Sequence, residues 1–391
     1  MKSNHRNLLM AMTAAGALVA GAVAAQSPYP APPPAPAAGG FGGGGGGGAN
    51  ATPPARTAAG PAAPADFTAA EKNAAQVQGQ RAIDTANAGQ AAMGYRPQSV
   101  VGGVQIQTPY FQDTLAVRDN MPASFATVPA KQPRRVLVFA KASGYGHSVV
   151  PLAAYLTKQL GEKTGAWQTD VSFDLKDITT ANLAKYDAIQ LDSTTGRFLD
   201  DSDAAATEAR KQALLAFVRS GKGLVMTHAA GDAYHGGGAA GNNSLWPEFS
   251  KMTGGFFKFH WVIPQQITVK VDDPKSPLLA GYGAMPFSVH DEIYTFKQDE
   301  FNTRKNFHVL LSVDYSKMSQ EDKLEEPEAN RRTDGDYVVS WIRKEGQGRV
   351  WYNILGHSEH VLSMPLYQKQ LVAGIQYAVG DLAADDSPSE K

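Results

Sequence analysis

Nine histidines occur in the chain, and only His5 lies in its first hundred residues. Three of the others follow apolar runs that read as buried strands. The run 136–140 leads through a glycine-bearing loop to His147, Gly223-Leu-Val-Met-Thr227 ends on His228, and 350–355 leads to His357. Ligands of open α/β sheets bind beyond the carboxyl ends of the strands. Three imidazoles at three such ends are therefore expected to converge on one pocket. His260 closes an aromatic run, Gly254-Gly-Phe-Phe-Lys-Phe-His260, and is a fourth candidate. The carboxylate comes from His290-Asp-Glu-Ile-Tyr294, which reads as strand. Alternation there puts His290, Glu292 and Tyr294 on one face and Asp291 on the other, so Glu292 is expected in the pocket.

Two chemistries suit this set. Neutral imidazoles and one carboxylate can hold a divalent cation, Zn²⁺ or Mn²⁺, with an open position, and the candidate ligands are His228, His260, Glu292 and His357. The other is acid–base catalysis without metal, by His228, Glu292 and His147. In either case Tyr145, His260, Tyr294 and His357 are candidates for contacting substrate. The spacing is long-range, and no compact motif such as H-E-x-x-H decides between the two. Gly144-Tyr-Gly146 lacks the P-loop lysine and the Rossmann spacing, so no nucleotide cofactor is expected. Asp232 and His235 sit in a glycine-rich loop placed to act as a lid. Trp246, Phe256, Phe257, Phe259 and Trp261 read mainly as core, with one or two available to stack on a sugar ring.

Composition narrows the classes. The chain has no cysteine, which excludes disulfides, thiolate metal sites and cysteine nucleophiles. A formal net charge of −1 over 391 residues, with no basic face, argues against nucleic acid and anionic lipid as partners. Residues 1–25 read as a secretory signal: Lys2 and Arg6, an alanine-rich apolar core, then Ala22-Val-Ala24. The mature protein is expected to be periplasmic or extracellular, with no transmembrane span after the signal. Residues 26–65 read as a disordered Pro/Gly/Ala-rich tether, 66–130 as a leader that is helical to about residue 92 and irregular thereafter, 131–382 as the domain, and 383–391 as a frayed tail.

Within the domain, strands at 136–140, 169–173, 188–191 and 224–227 alternate with helices. One begins after Ser148 and is closed by Gly161; another spans 204–220. This pattern predicts a parallel sheet covered on both faces. The second half is mixed: a short helix at 245–252, strands at 266–271 and 288–296, and a hairpin of 337–343 with 349–355. A final helix covers 366–379.

Five pieces, in this order, resemble the trehalose-utilisation (ThuA-like) domain of the class I glutamine amidotransferase-like superfamily. They are Gly144-Tyr-Gly-His147-Ser148, Gly223 to His228, Gly254 to His260, Asp291-Glu-Ile-Tyr294, and Gly348-Arg-Val-Trp-Tyr-Asn-Ile-Leu-Gly-His357. The resemblance runs from about residue 134 to residue 380. It implies an α/β, three-layer flavodoxin-like core with a mostly parallel sheet. It also implies that His228 stands where amidotransferases carry their cysteine nucleophile, a chemistry closed to a chain without cysteine. Family members are linked to trehalose and related sugars, after oxidation to 3-keto sugars. The implied activity is hydrolysis or β-elimination of a (3-keto-)glycoside, with a small carbohydrate as the ligand. The alternative is a non-catalytic sugar-binding or scaffold module of the cell envelope. One departure is Gly146, where the family often carries a basic residue.

Overall fold

The computed structural model describes residues 98–101, 104–107, 109, 111–236, 243–261 and 267–390. The signal, the tether, the leader helix and the middle of the glycine loop, 237–242, lie outside the described residues. A hairpin of β1 (Gln98–Val101) and β2 (Val104–Gln107) and helix α1 (Phe111–Asp119) come first. Both fall in the stretch expected to be irregular. The α/β alternation follows: β3 (Arg135–Phe139), α2 (Val150–Thr164), β4 (Gln168–Ser172), α3 (Thr180–Leu183), β5 (Ala188–Asp192), α4 (Ala204–Arg219) and β6 (Gly223–Thr227). The second half holds α5 (Pro247–Thr253), β7 (Phe257–Trp261), β8 (Ile267–Val271), β9 (Phe287–Val289), β10 (Ile293–Phe296), β11 (His308–Val313), α6 (Gln320–Glu325), β12 (Val338–Glu345), β13 (Gly348–Asn353), α7 (Glu359–Leu362) and α8 (Pro365–Ala378).

Nine strands form one sheet in the order β4-β3-β5-β6-β13-β12-β11-β8-β9. The first five run parallel; from β13 outward each neighbour is antiparallel. The apolar runs explain the parallel part. Every residue of β5 and β6 is buried, as expected of strands covered on both faces. Alternation on β13 separates the two faces. Trp351 lies against Gly374 of α8, whereas Tyr352 packs on Trp341, whose indole donates to Thr253 O at the end of α5 (3.0 Å). Among the described residues no helix is long and apolar enough to cross a membrane.

Several elements differ from the sequence expectation. Gly161 does not close α2. The helix runs past it to the left-handed stop at Gly165 (φ 65°), and Gly161 instead makes room for the Trp167 indole, with which a Cβ would collide. Ser148 does not cap it; the cap position is Val149, with Pro151 in the first turn. The expected strand 288–296 is broken. β9 stays in the large sheet, while β10 leaves it and pairs antiparallel with β7, Tyr294 opposite His260. β11 had no sequence expectation.

The ordered body is wider than 131–382. The Val117 carbonyl accepts from Gln368 Nε2 (3.2 Å), and Gln376 bonds both the N–H and the C=O of Val128. Arg134 meets Asp381. Residues 111–134 are thus bound along α8. At the other end, Ser389 N–H donates to Phe307 O (3.1 Å) and Glu390 N–H to Arg304 O (3.1 Å). The tail is docked beside β11 instead of frayed.

Candidate functional site

Three parallel strands, β3, β6 and β13, end at the site, and hydrogen bonds hold the residues that follow them. β6 stops at Thr227, and His228, the first residue of a one-turn 3₁₀ segment (His228–Asp232), takes a left-handed φ of 43°. That conformation is costly for a residue with a Cβ. It is held by the Tyr352 hydroxyl, which donates to His228 O (2.7 Å) and accepts from Gly231 N–H (2.8 Å). The loop after β3 is joined to the loop after β5. Ser143 and Gly144 N–H donate to Thr195 O (3.0 and 3.2 Å), and Thr195 Oγ1 donates to Tyr145 O (2.7 Å). The contact needs glycine at 196, whose φ is 66° and whose Cβ would lie 2.6 Å from Gly144 N. This junction places Tyr145 and His147. His357 follows β13 in the loop that leads to α7.

The carboxylate arrives from the other half of the fold, between β9 and β10. Glu292 is almost fully buried, with its two oxygens in different roles. Oε2 lies 3.3 Å from His228 Nε2, 3.2 Å from His357 Nδ1 and 3.9 Å from His147 Nε2. His357 Nδ1 and His228 Nε2 are 3.2 Å apart. Oε1 instead faces His260 Nδ1 at 3.0 Å, on β7. Ligand atoms of His147, His228, Glu292 and His357 all fall within 4.8 Å of one another, a cluster that could hold a metal ion. This set contains His147, and His260 stands one atom further out on the same carboxylate. Asp291 turns away from the cluster and binds backbone.

Burial opposes charge at every one of these groups, and the neighbours decide the outcome. At Glu292 burial pushes the carboxyl up, but His357 and His260 outweigh it and hold its pKa well below the usual range. Burial pulls His357 down, and Glu292 reverses this, raising it to about 9. His260 is raised by the same carboxylate against its own burial. His147 goes the other way. Burial, then the charges of His228 and His357, hold it well below normal, so it stays a neutral imidazole. Burial first, then Glu292, keep Tyr294 a neutral phenol.

The surroundings are aromatic. Tyr145 meets His147 edge-on (4.7 Å between centroids), and Tyr294 lies 5.0 Å from His228. Phe257, partly exposed, packs on Tyr294, His260 and His235. Trp246, Phe256 and Trp261 are buried in the core. Asp232 and His235 form an ion pair at 2.6 Å, on the stretch that begins with His228. His308 is remote from the cluster, bonded to Asp273 and to the tail. His290 stands beside His360. Sequence reasoning missed Tyr352 and the backbone role of Asp291. The first gives no signal beyond an aromatic in a strand. The second was legible only as the off-face member of an acidic pair.

A family model described as ThuA, trehalose utilisation, matches residues 135–378. Among solved structures, a ThuA-like protein from Bacteroides uniformis is 20% identical, with a TM-score of 0.50 over 65% of this chain and 95% of that one. Another from Parabacteroides merdae is 18% identical, with a TM-score of 0.46 over 66% and 96%. A cytoplasmic protein from Salmonella typhimurium is 12% identical, with a TM-score of 0.40 over 63% and 98%. At these identities the likeness speaks to the fold alone, and the first of them supports the flavodoxin-like α/β architecture. Among curated proteins none matches the chain.

Proposed function

This chain belongs to the ThuA, trehalose-utilisation family, and from that membership we propose that its imidazole–carboxylate cluster is the centre of an exported carbohydrate-processing enzyme that holds one divalent cation. The observation that carries the reading is a triangle of donors. Glu292 Oε2, His228 Nε2 and His357 Nδ1 stand 3.3, 3.2 and 3.2 Å apart. Adjacent ligand atoms of a tetrahedral Zn²⁺ with bonds of about 2.0–2.1 Å are separated by roughly 3.4 Å. His147 completes the set.

The tautomer of His228 adds to the fit. Its Nδ1 lies 2.9 Å from the Ile354 carbonyl and must donate to it. In the neutral ring Nε2 then presents a lone pair to the carboxylate oxygen. Two lone pairs at that distance repel, and a metal cation between them, like a proton on Nε2, relieves this. Imidazole-rich donors with one carboxylate suit Zn²⁺ better than Mn²⁺, which prefers oxygen.

When bound, the cation supplies Lewis-acid stabilisation of charge developing on a substrate oxygen. The chain's residues do the rest. Tyr294, kept neutral, donates to a sugar oxygen. Phe257 and Phe259, both partly exposed, offer ring faces to the apolar side of a pyranose. His260, partly exposed beside the outer oxygen of Glu292, accepts and returns a proton. The fitting substrate is a glycoside oxidised at C3. The 3-keto group acidifies the neighbouring C–H, so that proton removal with departure of the glycosidic oxygen gives elimination, and attack of water at the anomeric carbon gives hydrolysis. A second reading, a sugar-binding module of the cell envelope, draws its support from the aromatic strand β7.

Elemental analysis of the exported protein, purified without chelators or a histidine tag, tests the first reading. One Zn or Mn per chain, lost in His228→Ala together with turnover of 3-keto-glycosides, is expected. No metal after attempted loading, and no turnover, would sink it. Saturable sugar binding that survives His228→Ala would then favour the second.

A further inference from the structure

We infer that Asp291 is a positioning residue: its carboxylate clasps the loop that carries His357 and thereby sets the spacing between His357 and Glu292. The inference rests on the reading of the cluster as a cation-binding centre.

Asp291 is 0% exposed, and both of its oxygens are taken. Oδ2 accepts from Gly356 N–H (2.6 Å) and Oδ1 from Ser358 N–H (2.9 Å). These two amides bracket His357. The buried His360 ring also lies beside the His290 ring, 6.2 Å between centroids. The segment 290–291 thus meets the loop 356–360 at the two amides and again at His360. Glu292, the next residue along, meets the ring of the histidine whose flanking amides Asp291 grips. One acidic dipeptide fixes His357 twice, through its backbone and through its side chain.

The topology gives this clasp its purpose. His357 follows the parallel strand β13, whereas Glu292 lies between β9 at the far edge of the large sheet and β10 in the separate ribbon. No backbone ladder joins 290–292 to 356–358, so their relative position is not set by sheet register. A charged acceptor with two N–H donors is short and strong, and a carboxylate buried without such partners would be costly. A centre whose donors must stand within a few tenths of an ångström needs outer contacts of this kind.

Cobalt(II) titration of the full chain, followed through its visible ligand-field bands, tests the inference on the wild type, Asp291→Asn and Asp291→Glu. Asparagine keeps the shape but sets an NH₂ against a backbone N–H. Its Co²⁺ affinity is expected to fall about 10–100-fold, with altered bands, while the metal-free protein still melts cooperatively. Glutamate keeps both acceptor oxygens and is expected to recover part of the loss. Wild-type affinity and bands in Asp291→Asn would overturn the inference. Should that variant not fold, Asp291→Glu decides: weakened binding supports the clasp, and unaltered binding overturns it. Should the wild type bind no Co²⁺, the cation reading fails by itself. The clasp is then read from the His357 ring resonances and from amide exchange at Gly356 and Ser358. A moved ring signal with exchange accelerated at least about tenfold in Asp291→Asn supports it, and an unmoved ring signal overturns it.

Discussion

The two halves of the molecule build the same site in different ways. The parallel half supplies His147, His228 and His357 from the ends of β3, β6 and β13, all in one ladder of hydrogen bonds. Their backbones are fixed by strand register and by loop-to-loop contacts such as Thr195 O with Ser143 and Gly144. The β7–β10 ribbon and its approach supply Glu292, His260 and Tyr294. Among the described residues that ribbon pairs with no strand of the large sheet. Its groups are held by side-chain contacts, and three consecutive residues of β7, Phe257, Lys258 and Phe259, are only partly buried. The difference suggests a division of labour. On the proposed reading, the deep sheet end holds the cation's donors to tight tolerance and the shallower ribbon meets the sugar.

Removing the carboxylate that joins the halves is the severest break. Glu292→Gln leaves four imidazoles around a neutral amide. Bound metal is expected to disappear and turnover to fall about 10²–10⁴-fold, measured by elemental analysis and steady-state kinetics. Wild-type metal content in this variant would show that the parallel half suffices alone.

The next test uses pH on the chelated protein. The His357 pKa is raised from 6.5 to about 9, so its contribution to stability is fully present below 6.5 and is lost as pH climbs through 9. The Glu292 pKa is depressed below 4.5, so its contribution is present above 4.5 and lost as pH falls through the folded value. Melting temperatures of chelated protein should therefore decline from pH 6.5 to pH 9. The decline should be shallower in His357→Gln, where His260, raised by the same carboxylate, still contributes. A wild-type curve flat over that range would break the coupling between ribbon and sheet.

Tyr352→Phe sharpens the comparison from within the parallel half. It removes the hydroxyl that both donates to His228 O and accepts from Gly231 N–H. A stability loss of about 1–3 kcal/mol, read by denaturant unfolding, is expected together with weaker metal binding. The smallest effect belongs to the ribbon's rim. Phe257→Ala should raise KM or the sugar Kd several-fold while metal content and fold are retained. Loss of metal here would mean that the ribbon, too, positions ligands.

Much of this was legible in the chain. The βα units of the first half announce themselves by short apolar runs, because such strands are buried on both faces and their neighbours are close in sequence, whereas the cap at Ser148 and the stop at Gly161 did not hold. His228 was readable as a pocket residue because it directly follows β6, and a parallel strand end is a local feature. Glu292 was expected on the opposite side from Asp291; it meets the histidines while Asp291 binds backbone, without the continuous strand that alternation presumed. Composition decided that no cysteine chemistry operates here.

The tertiary structure decided the rest. Alternation along 288–296 could not reveal that the chain breaks between β9 and β10, since β10 pairs with β7 some thirty residues earlier. Non-local pairing of that kind leaves no mark in a local pattern. For the same reason the chain could not say that His147 would join the donor cluster while His260 reached the outer oxygen of Glu292. Both are histidines that follow an apolar run, directly or through a loop. Only the closure of the Ser143–Gly144 loop on Thr195, and the place of the ribbon beside the sheet, put one ring on Oε2 and the other on Oε1.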